Sequence, residues 1–166
     1  VFHSQKLLNE RQRRGFGYFF LRWQRGPFSK NVNEDLELLK NSNFVNWGRD
    51  NITLTKEGEK LLGMTKEIFD SNETILKYIN QIVEKYSCLS PEQIKEKTYE
   101  TTIMVPRIGK LMKIIDVPEK QIIMYGLSEK KARYSFLIPD EWLETLEVIF
   151  DKEAMNLLKN AGRRDS

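Results

Sequence analysis

Cysteine and histidine are almost absent from this chain of 166 residues, which holds one of each, Cys88 and His3. A single cysteine excludes an intrachain disulfide. One cysteine and one histidine, far apart in the sequence, cannot supply the ligands of a usual zinc site. A histidine near one end is also a poor candidate for the base of a catalytic triad. We therefore predict no metal site, no cofactor and no catalytic residue.

Long apolar runs and phosphate-binding glycine loops are missing as well. The longest aromatic run, residues 18–21, stops at Arg22, far short of the roughly 20 apolar residues that span a bilayer. Residues 14–17 (RGFG) lack the downstream spacing of a nucleotide-binding loop. Because the sequence opens on Val1 rather than Met, we expect a preceding segment, but no secretory leader. These absences predict a non-enzymatic, cytoplasmic protein that does not enter membranes.

Positive charge is concentrated at the start of the chain. Residues 1–30 hold seven Lys or Arg against Glu10 alone, a net charge of +6, so the other 136 residues carry −3 of the total of +3. Such a segment suits a phosphate backbone or an acidic protein surface, and a solvated face without a partner is the alternative. The candidate nucleic-acid or partner-binding residues are Arg11, Arg13, Arg14, Arg22, Arg25, Lys30 and Arg49.

Residues 16–62 have the element order of a winged helix. An aromatic, β-prone segment at 18–23 is followed by a turn at Gly26-Pro27. A helix over 30–42, with apolar residues at helical spacing, occupies the position of a recognition helix. Either Ser29 or Asn31 can cap this helix, Asn31 together with Glu34 as a capping box.

The second half of the predicted winged helix is a hairpin and a further helix. Residues 44–47 and 51–54 read as two strands around a turn at 48–50, which is the wing. Thr55 caps the following helix, with Glu57 in its first turn.

Further helices are predicted downstream. Apolar residues at helical spacing predict a helix over 72–86, and Ser90-Pro91 with Gln93 is a strong helix start. For residues 103–138 the sequence favours neither helix nor strand. Within this segment, residues 121–125 and 133–138 could pair as a small hairpin. Helices are expected to begin at Pro139-Asp140 and at Asp151.

These elements predict an α+β, mostly helical fold. Its winged-helix-like core is extended by C-terminal helices and, where residues 121–125 and 133–138 pair, by the small β-hairpin. We divide the chain into a domain over residues 1–102 and an α/β extension over residues 103–166 that packs on it.

The segment RGPFSKNVNEDLELLKNSNFV (residues 25–45), followed by ITLTKEGEKLL (residues 52–62), resembles the SocA-like Panacea domain and the related YwgA-type proteins. The matching positions are Gly26, Pro27, Phe28, Ser29, Asp35, Leu36, Leu39, Leu54, Thr55 and Gly58. Residues 85–100 are similar to a Leu-Ser-Pro-Glu helix of that family. The family's first helix is only hinted at by residues 5–8, and the C-terminal part has no counterpart.

The resemblance implies an antitoxin-like or phage-associated regulatory protein of bacteria or archaea. Members of the family are thought to neutralise a paired toxin by direct contact, and some act as adaptors. The winged helix that the resemblance implies could also bind DNA.

The charge of the predicted recognition helix decides between the two kinds of partner. From Lys30 to Lys40 it carries Glu34, Asp35 and Glu37, a net charge of −1. Acidic side chains in a DNA groove are repelled by the phosphates that line it and can favour little beyond cytosine amino groups. A toxin-like protein partner is therefore the first hypothesis, with the partner-facing helix residues Asn33, Glu34, Glu37 and Lys40.

Two other functions remain open. A winged-helix transcriptional regulator that binds DNA is the second, and an accessory factor in RNA or DNA processing is the third. The apolar residues predicted for the helix that begins at Pro139-Asp140 either pack on the rest of the chain or form a surface for a homodimer or another partner.

Overall fold

The computed structural model describes residues 1–48 and 51–151. About half of these residues are helical, and the remainder form small sheets and connections, which confirms an α+β fold. The helices are α1 (Phe2–Glu10), α2 (Lys30–Asn41), α3 (Lys56–Met64), α4 (Lys66–Ser71), α5 (Glu73–Ser87), α6 (Pro91–Tyr99) and α7 (Asp140–Phe150). The strands are β1 (Arg13–Arg14), β2 (Phe20–Trp23), β3 (Gly26–Phe28), β4 (Val45–Trp47), β5 (Ile52–Leu54), β6 (Thr102–Val105), β7 (Lys110–Lys113), β8 (Ile122–Met124) and β9 (Tyr134–Ser135). Among the described residues, no helix is both long and apolar enough to cross a membrane.

The chain folds into two compact units, each made of two separate stretches of sequence. Unit 1 comprises Val1–Asn33 and Asn72–Phe136, and unit 2 comprises Glu34–Ser71 and Leu137–Ser166. The predicted domain boundary at residue 102 divides the chain only once and stays a prediction. Residues from both sides of that boundary share the core of unit 1.

The core of unit 1 brings apolar residues from α1, three strands and one short 3-10 turn together. Phe2 and Phe20 meet edge to face, with ring centroids 5.3 Å apart. Val105, Ile114 and Ile123 are almost completely buried. Alternation along β6 explains which side chains are inside, because Ile103 and Val105 are buried while their neighbours are exposed.

Strand β2 is the centre of an antiparallel sheet in unit 1, with the order β3-β2-β8. The β-prone segment at 18–23 forms a strand over residues 20–23, but the turn lies at residues 24–25 rather than at Gly26-Pro27. Gly26 instead pairs with Trp23 in β3, at a φ of +117° that favours glycine.

The predicted hairpin between residues 121–125 and 133–138 is wrong. Strand β8 pairs antiparallel with β2, and β9 pairs parallel with β1. The start of the open segment, before β8, forms β6 and β7, which pair with each other from Thr102↔Lys113 to Val105↔Lys110. The turn residues between the two segments favour a local hairpin. Each segment instead forms hydrogen bonds with the free edge of an earlier strand, β2 or β1.

The helices predicted from capping and periodicity in unit 1 are confirmed. Helix α5 matches the expected segment 72–86, with Ile75 buried. The Ser90 side chain accepts from the Gln93 backbone N–H, and the Gln93 side chain accepts from the Ser90 backbone N–H. This reciprocal capping box, with Pro91 in the first turn, starts α6 where the sequence predicts it.

Unit 2 contains the predicted hairpin of β4 and β5, paired from Val45↔Leu54 to Trp47↔Ile52. Thr55 joins the hairpin to α3, since its hydroxyl accepts from the Gly58 N–H at 3.0 Å and donates to the Asn43 carbonyl at 2.6 Å. The Phe44 ring meets Phe150 of α7 edge to face, with ring centroids 5.7 Å apart.

Three details differ from the predictions or lie outside the described residues. Helix α2 begins at Lys30, so Asn31 lies within it and does not form the predicted capping box. The Ser29 hydroxyl is buried and has no hydrogen-bond partner among the described residues. The helix expected to begin at Asp151 lies outside the described residues, and the winged-helix core stays a prediction.

Candidate functional site

Strands β1 and β9 bring two basic segments together in unit 1. Arg13 is in register with Tyr134, and Arg14 is in register with Ser135. The Arg133 N–H donates to the Gln12 carbonyl at 2.8 Å, so the pairing continues beyond the two strands. Residues 11–14 therefore run beside residues 132–135.

The structure adds three cations that the sequence analysis did not select. Lys130, Lys131 and Arg133 are exposed; Arg133 belongs to the segment that pairs with β1, and the two lysines lie in the 3-10 turn just before it. Their sequence KKAR is a short basic run that could have drawn attention. Nothing local indicates that this run pairs with a strand about 120 residues earlier in the sequence.

Arg22 lies in the interior of unit 1 rather than on this basic surface. The residue is only 9 % exposed. Nε donates to the Ile114 carbonyl at 3.1 Å, Nη1 donates to the Trp23 carbonyl, and the guanidinium lies over the Tyr99 ring. A charged group that is removed from water is stable only when other groups replace its hydration. The two carbonyl oxygens and the Tyr99 ring do so for the buried Arg22 guanidinium.

The other predicted basic residues are dispersed. Arg25 is exposed at the turn between β2 and β3, and Lys30 is exposed at the start of α2. Arg49, predicted at the tip of the wing, lies outside the described residues.

All four residues predicted for the partner-facing helix are exposed on α2. Asn33, Glu34, Glu37 and Lys40 lie on a helix of which no residue is buried. Its C-terminal end is tied to the hairpin, because the Phe44 N–H donates to the Leu39 carbonyl at 2.9 Å. The Lys40 ammonium lies 5.8 Å from the centre of the Trp47 ring.

The two units carry opposite net charges. Unit 1 holds 18 Lys or Arg against nine Asp or Glu, a net charge of +9, whereas unit 2 holds nine against 15, a net charge of −6. The basic start of the chain is evident in the sequence, but this division is not. Each unit combines two distant segments. A charge count along the sequence therefore mixes residues of the basic unit with residues of the acidic unit.

His3 of α1 makes polar contacts with α5 and α6 in unit 1. Its Nε2 is 2.8 Å from the Thr98 hydroxyl, and its Nδ1 is 3.4 Å from the Tyr86 hydroxyl. Desolvation by burial, aided by the positive charges of the Val1 ammonium, Lys6 and Lys85, lowers the pKa of His3 to about 4. The imidazole and Tyr86 ring are stacked and line a cavity of ≈ 490 Å³.

Both hydrogen-bond partners of His3 within the described residues are hydroxyl groups, and neither is a carboxylate. Within the described residues, no group of three or more His, Cys, Asp or Glu side chains could hold a metal ion. The two hydrogen bonds of His3 connect α1 to α5 and α6.

Comparison with known proteins finds no matching family model, no similar curated protein and no similar solved structure. The Panacea-like motifs therefore remain a resemblance.

Proposed function

We propose that this chain is a non-enzymatic regulatory protein that binds a basic protein partner through unit 2, as an antitoxin binds its toxin. The exposed acidic side of α2, in a unit with a net charge of −6, is the observation that carries this proposal. Glu34 and Glu37 are one helical turn apart, so both can face one partner.

Apolar side chains in the same unit support protein contact. Leu38, Ile52 and Leu54 are between 41 % and 49 % exposed. A protein interface combines such apolar side chains with charged groups that steer association, whereas a purely solvated face needs only the charges. A partner with basic residues around an apolar patch has the matching chemistry.

The test uses the product of the neighbouring reading frame, whose toxicity is measured by growth when it is expressed alone and together with this chain. We expect co-expression to restore growth. The Glu34→Lys/Glu37→Lys variant should weaken binding about tenfold or more, because like charges then face each other. Calorimetric titration at low and high salt measures the affinity.

The matched control is Glu84→Lys/Glu96→Lys, which makes the same charge change on α5 and α6 of unit 1. Both variants are first compared with the unchanged protein by thermal melting. Equal loss of affinity in the two variants, or no neutralisation by the unchanged chain, would refute this function.

A second candidate is a winged-helix regulator that places α2 in the groove of duplex DNA. The order α2, β4–β5 hairpin, α3 favours it. The two candidates predict opposite effects of one variant. If α2 meets DNA, Glu34→Lys/Glu37→Lys should strengthen duplex binding by removing repulsion from phosphates; if α2 meets a basic protein, the variant loses that partner.

A further inference from the structure

A second interaction surface, unrelated to α2, lies where β1 and β9 meet in unit 1. We name it the β1–β9 surface. It consists of Arg11, Arg13, Arg14, Lys130, Lys131, Arg133 and Tyr134. Six of these seven residues are cationic, and they come from two segments that pair side by side.

The acidic residues next to these segments do not neutralise the surface. Glu129 is paired with Arg14, with Nη1 and Oε1 2.6 Å apart, and Glu10 is paired with Lys6. The remaining five cations form no ion pair with any residue that the structure describes. Such a concentration of like charge destabilises a fold by repulsion unless an anion binds it.

Arg13 and Tyr134 give the surface a second property. The guanidinium carbon of Arg13 lies 4.0 Å from the centre of the Tyr134 ring, and Tyr134 as a residue is 58 % exposed. The Nε of Arg13 is buried and makes no hydrogen bond to the described residues. An arginine stacked on an exposed aromatic ring provides a flat platform with a positive charge.

We propose that the β1–β9 surface binds single-stranded nucleic acid. The unpaired cations contact the phosphodiester backbone and release its counterions. The Tyr134 ring stacks on an unpaired base, a contact that tolerates any base because each has a flat aromatic face. A duplex keeps those faces inside its stack, so the ring adds nothing to duplex binding.

The ring also distinguishes this ligand from other polyanions. An acidic protein surface or a polyphosphate can neutralise the cations but offers no base to stack on. RNA and single-stranded DNA share the backbone and the bases, so both fit the surface, and a direct comparison decides between them.

The experiment measures fluorescence anisotropy of labelled oligonucleotides of about 20 nucleotides. The probes are mixed-sequence RNA, single-stranded DNA, the matching duplex and an abasic strand with the same backbone. We expect both base-bearing single strands to bind more tightly than the duplex and the abasic strand. If the RNA binds more tightly than the DNA, or the reverse, that strand is the intended ligand.

Two variants separate the charges from the ring. Arg11→Ala/Lys131→Ala/Arg133→Ala should reduce the slope of log affinity against log salt by about 2, since each phosphate contact contributes about 0.7 for single strands. Tyr134→Ala should weaken binding of base-bearing strands about fivefold or more and leave the abasic strand unchanged. Tyr134→Phe keeps the ring and should retain the affinity.

The matched control for the charges is Lys77→Ala/Lys95→Ala/Lys97→Ala, which removes three exposed cations from α5 and α6 of the same unit. Equal weakening by this control, duplex binding as tight as single-strand binding, or no effect of Tyr134→Ala would each overturn the proposal. Binding of the toxin-like partner is measured separately, so either proposal can fail alone.

Discussion

A Cβ atom on Gly58 would lie 2.1 Å from the carbonyl oxygen of Phe44. That oxygen accepts from the Thr55 N–H at 3.1 Å, so the hairpin and the first turn of α3 hold it in place. Gly58 is also buried, and its N–H is the donor to the Thr55 cap. At the scale of single residues, this glycine is required by close backbone approach and not by its φ angle.

We expect Gly58→Ala to lower the free energy of unfolding by about 3 kcal/mol, because the backbone must move apart to admit the methyl group. Gly63→Ala is the matched control in the same helix, where the space around the added Cβ is open. It should raise the free energy of unfolding by about 0.5–1 kcal/mol. Urea denaturation measures both; a shift of both variants in one direction would contradict this account.

At the scale of elements, His3 connects α1 to α5 and α6. The Thr98 hydroxyl donates its hydrogen to the Ile94 carbonyl at 2.7 Å, so His3 must donate to it from Nε2. The Nδ1 atom then accepts from the Tyr86 hydroxyl. Since one ring nitrogen donates and the other accepts, these two hydrogen bonds require the neutral imidazole, in agreement with the lowered pKa of His3.

Protonation of His3 should therefore weaken the packing of these helices. Its pKa is 6.5 when the chain is unfolded and about 4 when it is folded. Between these values the unfolded chain binds the proton first, so the free energy of unfolding falls as the pH decreases through this range. Above the upper value this contribution is complete and does not change.

Denaturation at about pH 7 and about pH 5.5 measures the effect before most carboxylates titrate. Because His3 is the single histidine of the chain, the His3→Gln variant should show a smaller decrease over this interval, and the Val1 ammonium, whose pKa desolvation also lowers, accounts for the remainder. A variant that keeps the full decrease would show that the proton binds elsewhere.

At the scale of the whole molecule, the opposite charges of unit 1 and unit 2 are hidden by a total of only +3. Ligands respond to the local field and not to the total, because screening limits each charge to about 10 Å at moderate salt. A basic unit and an acidic unit in one chain can therefore bind partners of opposite charge.

We expect the protein to bind both cation-exchange and anion-exchange resins at low ionic strength. Glu34→Lys/Glu37→Lys should shorten retention on the anion exchanger more than Glu84→Lys/Glu96→Lys, although both change the net charge equally. Salt-gradient chromatography provides the measurement. Failure of the unchanged protein to bind the anion exchanger would mean that unit 2 presents no effective acidic surface.

Local signals in the sequence determined most of the helices. The Ser90 capping box, the Thr55 cap and the apolar repeat of α5 depend on residues within a few positions of each other. Such interactions form in the same way wherever the segment lies in the fold. The hairpin of β4 and β5 follows for the same reason, because its strands are adjacent in sequence.

Only the tertiary structure decided which distant segments meet. Strand β8 pairs with β2 and β9 pairs with β1, although a short turn made a local hairpin equally plausible. Backbone N–H and C=O groups are the same in every strand and do not favour one partner strand over another. Burial of the whole core therefore selects the pairing. The same selection placed Arg22 inside, assembled the β1–β9 surface and separated the charges into two units.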